Sequence, residues 1–188
     1  RLNEKEIILN NNLFIDYSFC DWKSDFMDNF LGYACSFCIT TGTGLDTFAK
    51  LNRKRIGSII NPLDKIYDRK NWTYIFGYLK NKITNKYLTI DEIIKNELFS
   101  SFKFNNLEEK YIFEKNNSED ITQLVLETMQ KYEKKFDTNK VDYELQENLW
   151  NKFSKLPSSR FESIEEFRKT DNRICNSFII NNKNLFDL

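Results

Sequence analysis

Thr40-Thr41-Gly42-Thr43-Gly44 places three hydroxyls and two glycines in five consecutive residues, with Asp46 and Thr47 just beyond. This composition suits anion binding. Glycine lets a ligand approach the backbone, and hydroxyl and backbone N–H groups donate to phosphate oxygens. The pattern is not G-x-G-x-x-G, because Thr47 stands where the third glycine would be, and no G-K-[ST] follows it. A tight turn with nothing bound accounts for the same residues, each threonine then capping a helix or closing a turn. Asp46, in a first helical turn, complements the helix dipole. It would repel a phosphate set directly beside it, so it either faces away or contacts a sugar.

Other residues are candidates for supporting roles. Asp25 and Asp28 are three apart, hence on one helical face. They cap, pair with lysine or steady the glycine turn rather than catalyse. Asn61, followed by Pro62, closes the next strand at the same sheet edge, where it either touches a sugar or nucleotide or ends the strand. Lys54, Arg55, Lys65, Arg69 and Lys70 supply charge for a diphosphate or form a solvated face. Cys35 and Cys38 make a C-x-x-C, but Cys20 and Cys175 are distant and give no second ligand pair. Cys38 falls in a strand, so both read as small buried core residues without metal.

The 188 residues carry 28 Lys+Arg and 28 Asp+Glu, so no basic excess points to nucleic acid. Histidine is absent, which excludes Ser-His-Asp and Cys-His catalysis and imidazole metal sites within this chain. No D-x-D occurs either, and neither metal nor cofactor is expected. Free cysteines suit a reducing, cytoplasmic compartment. No apolar run approaches the roughly 20 residues that cross a bilayer.

The elements that must position these residues follow from local pattern. Ser36–Thr40 is a short apolar run of β-formers, Leu45–Leu51 has Leu45, Phe48, Ala49 and Leu51 largely on one helical face, and Arg55–Ile60 is apolar again. Strand, glycine turn, helix and strand make a βαβ unit, with the helix start at the carboxyl edge of a parallel sheet. Upstream, Leu13–Tyr17 reads as a strand and Asp21–Ala34 as a helix capped by Ser24, with Phe26, Met27, Phe30, Leu31 and Ala34 at helical spacing. Downstream, aromatic Trp72–Leu79 is a strand or a packed loop. Thr89–Leu98 is a helix with a capping box from Thr89 to Glu92. Ser118–Phe136 is a helix capped by Ser118, with Ile121, Leu124, Val125, Leu126 and Met129 as its apolar face. Asp142–Phe153 and Ser163–Arg168 are further helices, separated by Pro157-Ser158-Ser159.

The run SDFMDNFLGYACSFCITTGTGLDTFAKLNRKRIGSIINPL resembles the C-terminal half of bacterial GT-B glycosyltransferases, in particular those associated with surface-carbohydrate clusters. These carry an S-D-x-x-D-x-x-L helix, a strand, an [ST]-G-[ST]-G-[LI]-D turn and helix, and a strand ending in Asn. Weaker similarity continues at Tyr87–Ile94, Tyr111–Ile121 and Ile174–Leu185, so it spans most of Leu13–Leu188. Asn184-Leu185 lacks the proline usual near that end. The resemblance implies an α/β fold: a Rossmann-like parallel sheet flanked by helices over residues 1–140, which binds nucleotide-sugar, and a C-terminal helical extension over 141–188. It implies a donor site for diphosphate and sugar at Thr40, Thr41, Gly42, Thr43, Gly44, Asp46, Thr47 and Asn61, with Asp25 and Asp28 in support. It implies a sugar donor, a glycan or lipid-linked acceptor, and an N-terminal GT-B domain in cis or trans. Peripheral association with the inner membrane face is also implied. A GT-B enzyme has two such domains, so the chain is expected to be the back half of a longer protein or a gene fragment. The alternatives are a non-catalytic or partner-dependent nucleotide-sugar-binding module and half of a nucleotide-sugar epimerase.

Overall fold

A computed structural model describes residues 5–7, 11–42, 44–60, 70–96, 98, 109–137, 140–153 and 170–187. Thr43, Asn61, Lys65, Arg69, the expected helix Ser163–Arg168 and Pro157-Ser158-Ser159 lie outside the described residues.

The βαβ unit forms where the sequence places it. Strand β1 is Phe37–Thr40, helix α2 is Asp46–Leu51 and strand β2 is Arg55–Ile60. Helix α1, Asp25–Ala34, precedes them, and the Ser24 side chain accepts from Met27 N as its cap. It starts later than Asp21 because Ser24 is extended, with φ −162°. β1 and β2 run parallel, Phe37 opposite Arg55 and Thr40 opposite Ser58. Strand β3, Trp72–Phe76, continues the parallel order, and the short strand β6, Arg173–Ile174, completes it as β1-β2-β3-β6. The molecule is thus α/β, with a four-stranded parallel sheet flanked by helices. β6 is contributed by the stretch read as a helical extension.

Trp72–Leu79 is two strands rather than one segment. The chain leaves the main sheet at Gly77, and β4, Tyr78–Asn81, pairs antiparallel with β5, Tyr111–Glu114. Helix α3, Ile90–Lys95, has the expected Thr89–Glu92 capping box but stops short of Leu98, with Asn96 as its C-cap. Helix α4 runs Ser118–Tyr132, and its cap is Asn117 rather than Ser118: Asn117 and Asp120 bond each other's backbone N–H reciprocally. It ends before Phe136 because Lys134 turns left-handed, φ +57°. Helix α5 is Lys140–Phe153, starting two residues before Asp142; α6 is Asn176–Asn181 and α7 is Lys183–Phe186.

α4 lies across β1, β2 and β3. It approaches so closely that a Cβ on Gly57 would stand 2.6 Å from Thr128 Oγ1 and 3.1 Å from Leu124 Cγ, with Ile39 Cδ1 of β1 also at 2.6 Å. A glycine inside a strand is placed by such an approach. On the opposite face Phe76 packs its ring against Phe178 at 5.3 Å, Phe186 at 5.8 Å and Phe153 at 6.3 Å. Ile56, Trp72, Tyr74 and Ile174 are fully buried beside them.

Four expectations, one strand and three apolar faces, are corrected. Leu13–Tyr17 is no strand. Asn11 Oδ1 accepts from Leu13 N and Asp16 Oδ1 from Ser18 N, so the side chains draw the backbone into turns and a 3-10 helix at Tyr17–Phe19. On α1, Phe26 is 73% exposed and Phe30 is exposed too, and on α2 Leu45 and Leu51 are exposed while Asp46 and Ala49 are buried. On α4, Leu126 is exposed and Asp120, Glu127 and Thr128 are buried.

The polar groups buried under α4 have a partner far along the chain. Arg173 Nε lies 2.6 Å from Glu127 Oε1, its Nη1 and Nη2 donate to the two Asp142 carboxyl oxygens at 3.0 and 2.6 Å, and its guanidinium sits over the Phe136 ring at 4.3 Å. Glu127 Oε2 accepts from Asn176 N at 2.7 Å. One cation thereby joins α4, α5 and β6. The outer edge of β6 is covered by a side chain: Gln146 donates to Ile174 O at 2.8 Å and accepts from Ile174 N at 3.0 Å. The amide stands where a neighbouring strand would.

Candidate functional site

The strands are parallel, so the carboxyl ends of β1, β2 and β3 share one edge, and the turn after Thr40 emerges there. Thr40 and Asp46 are both buried and bonded to each other, Thr40 Oγ1 to Asp46 Oδ2 at 3.3 Å. Thr40 Oγ1 also accepts from Gly42 N at 3.0 Å. These two residues therefore hold the turn's shape, and Asp46 faces inward, away from anything bound outside. Gly42 has φ +83°, and a Cβ at Gly42 or Gly44 would meet nothing within 4 Å. Thr41, Gly42, Gly44 and Thr47 are exposed at the rim. Among its described residues the turn thus offers the Thr41 hydroxyl, and backbone at Gly42 and Gly44 without side-chain obstruction.

Asp25 and Asp28 do not act as a pair. Asp25 is exposed, whereas Asp28 is half-buried and accepts from Tyr17 OH at 2.6 Å. Asp28 also lines a cavity of about 290 Å³ beside β1, with Leu31, Cys35, Cys38 and Leu45. The two cysteines are half-buried, not enclosed as expected, because no strand among the described residues pairs with the outer side of β1. Burial, with Cys35 and Asp46 adding to it, pushes the Cys38 thiol up to about 11. It is a protonated thiol at neutral pH and a poor nucleophile. Among the described residues no three His, Cys, Asp or Glu side chains gather as a metal site.

A second cavity, about 550 Å³, opens where β3 ends, walled by Tyr78, Tyr87, Asn117, Asn181, Asn182 and Lys183. Tyr78 OH donates to Asp120 at 2.5 Å, and burial together with that bond holds its phenol above the ordinary range. Tyr87 OH donates to Glu114 at 2.6 Å, and that bond, aided by Lys80, holds the Glu114 carboxyl below its usual value. Asn116 donates to Phe76 O at 3.0 Å and ties the cavity to the end of β3. Sequence reasoning did not select Tyr78 or Tyr87. The available signal was the asparagine-dense Asn181-Asn182-Lys183-Asn184.

Lys54 and Arg55 are not near the turn. Arg55 opens β2 opposite Phe37, three residues back from Thr40, or about 10 Å along the strand. They belong to the amino edge of the sheet. Comparison with family models, with curated proteins and with solved structures gave no match.

Proposed function

We propose that this chain is the donor-binding half of a GT-B glycosyltransferase, moving a sugar from a nucleotide-sugar to a surface-glycan or lipid-linked acceptor. The observation that carries the reading is that Gly42 and Gly44 are exposed, with open space over both, in the turn at the carboxyl edge of a parallel βαβ unit. Ligands of open α/β sheets bind at that edge. In this reading the diphosphate lies over the glycine turn and takes hydrogen bonds from backbone N–H groups and the Thr41 hydroxyl. The Tyr78–Asn117–Asn182 cavity, at the same edge, receives the sugar or the nucleoside. Displacement at the anomeric carbon expels a nucleoside diphosphate, whose growing charge is met by fixed donors. With Asp46 turned inward, the turn binds but does not take protons. The catalytic base then belongs to an N-terminal domain in cis or trans, at the cytoplasmic face of the membrane.

The experiment is a thermal-shift series with UDP-, GDP-, CMP- and dTDP-sugars. A ligand that binds the native state at 100 times its Kd adds about 2.7 kcal/mol, which raises the midpoint visibly. One nucleotide family is expected to do so, and melting curves unmoved by all four overturn the reading.

A further inference from the structure

At the amino edge of the sheet, opposite the glycine turn, a cavity of about 210 Å³ is lined by Arg53, Lys54, Arg55, Lys131 and Lys134, with Ser36 and Tyr132. We propose that this cavity is a second binding site, for a phosphate group carrying two negative charges.

Five cations line the cavity, and Asp171, outside the lining, pairs with two of them. Asp171 sits against Arg55 and lies 3.3 Å from Lys131 Nζ, so it holds two of the five cations in place while offsetting one of their charges. The Lys131 side chain is only 8% exposed. Burial pulls its ammonium down to about 8, and although Asp171 favours the charge, nearby Arg173 and Arg55 oppose it. Burial alone would raise the Asp171 carboxyl, but Lys131 and Arg55 outweigh it and hold it below its usual range.

The backbone adds an independent observation. Among the described residues six non-glycines have left-handed φ, and four are Asn or Asp, which tolerate it. The other two are Arg53 at +54° and Lys134 at +57°, and both line this cavity. They follow the ends of α2 and α4, positions where glycine is favoured. Cations at helix ends complement the dipole, but that explanation requires one charge per helix and no strain. The terminal carbonyls are also occupied already: Lys54 N donates to Ala49 O at 3.0 Å and Lys135 N to Gln130 O at 2.9 Å. Long cations held at strained positions around a concave site fit a bound dianion better, with guanidinium forks and ammonium groups taking its oxygens.

The test titrates inorganic phosphate into the chain at low ionic strength, with chloride at matched ionic strength as reference. The variant is Arg53→Gly with Lys134→Gly, which relaxes both backbones and so keeps the fold. Wild type is expected to bind phosphate in preference to chloride, and the double variant to bind it about tenfold more weakly while melting no lower. A parallel arm measures sedimentation with vesicles of phosphatidylcholine with and without phosphatidic acid. Binding to acidic vesicles that exceeds the response to free phosphate, and that the double variant loses, assigns the group to a lipid headgroup. Free-phosphate binding alone assigns it to a soluble ligand. Absence of both, or binding that the double variant retains, overturns the proposal.

Discussion

Gly42 has φ +83°, so any side chain there is strained by the backbone alone, whatever the space around it. Gly44 has neither that φ nor a neighbour within 4 Å. The two glycines can therefore be separated by mutation. Gly44→Val is expected to melt as wild type does and to lose its response to the nucleotide-sugar that stabilises wild type, because the new side chain occupies the space the diphosphate needs. Gly42→Val is expected to lose the response and to cost about 1–2 kcal/mol of stability, read by urea unfolding. A Gly44→Val protein that still responds to donor limits both glycines to backbone geometry. Lys131 gives a pH signature. Its ammonium is held near 8, below the ordinary lysine value of about 10.4. Below pH 8 it is charged in both folded and unfolded chains, and its penalty is constant. Between those values the unfolded chain binds the extra proton, so the stability this group contributes rises with pH. The stability difference between wild type and Lys131→Met should therefore move toward wild type on going from below pH 8 to near pH 10, and a constant difference would refute it.

Arg173 shows what a helix pattern conceals. The sequence of α4 displays apolar Leu126 and polar Glu127 side by side, and periodicity alone assigns the first to the core. The structure reverses them because Arg173, on a distant strand, pairs with both Glu127 and Asp142. Arg173→Met should cost about 3–5 kcal/mol, since it strands two buried carboxylates. Adding Glu127→Gln and Asp142→Asn should recover most of the loss, as measured by denaturant midpoints. No recovery would mean that the guanidinium acts through packing on Phe136 instead. The elements legible in the sequence were those with local causes: the β-branched and apolar runs of β1 and β2, the Ser24 cap and the Thr89–Glu92 box. Those missed had two kinds of cause. Leu13–Tyr17 has β-forming residues, but the neighbouring Asn11 and Asp16 side chains bond the backbone into turns, and Trp72–Leu79 divides at Gly77 because its second half pairs with the distant β5. The candidate site was legible to the same degree. The turn and its position on the sheet were readable, and the inward bond of Asp46 to Thr40, six residues away, settles between the two orientations its sequence position left open; the tyrosine cavity arises instead from packing between segments far apart in sequence.

For the whole molecule, the two edges of the main sheet are unlike. Gln146 closes the β6 edge, and no strand among the described residues pairs with the outer side of β1. The two candidate sites also lie at opposite ends of the strands, so occupancy of one leaves the other open. The reading of the chain as half of an enzyme predicts that the purified 188-residue protein transfers no sugar from any nucleotide-sugar it binds. Release of free sugar or glycosylated acceptor by this chain alone would sink that reading. The pairing of β3 with β6 has a further consequence, for the time course of folding. Trp72 N bonds Asn172 Oδ1, 100 residues on, so the fourth strand can dock only after a very long loop closes. Such remote pairings slow folding toward the millisecond-to-second range. Glu127 and Asp142 both precede Arg173 in the chain, so until β6 docks neither buried carboxylate has its guanidinium partner. The docking of β6 is therefore expected to come late in folding, with the burial of those two acids following it.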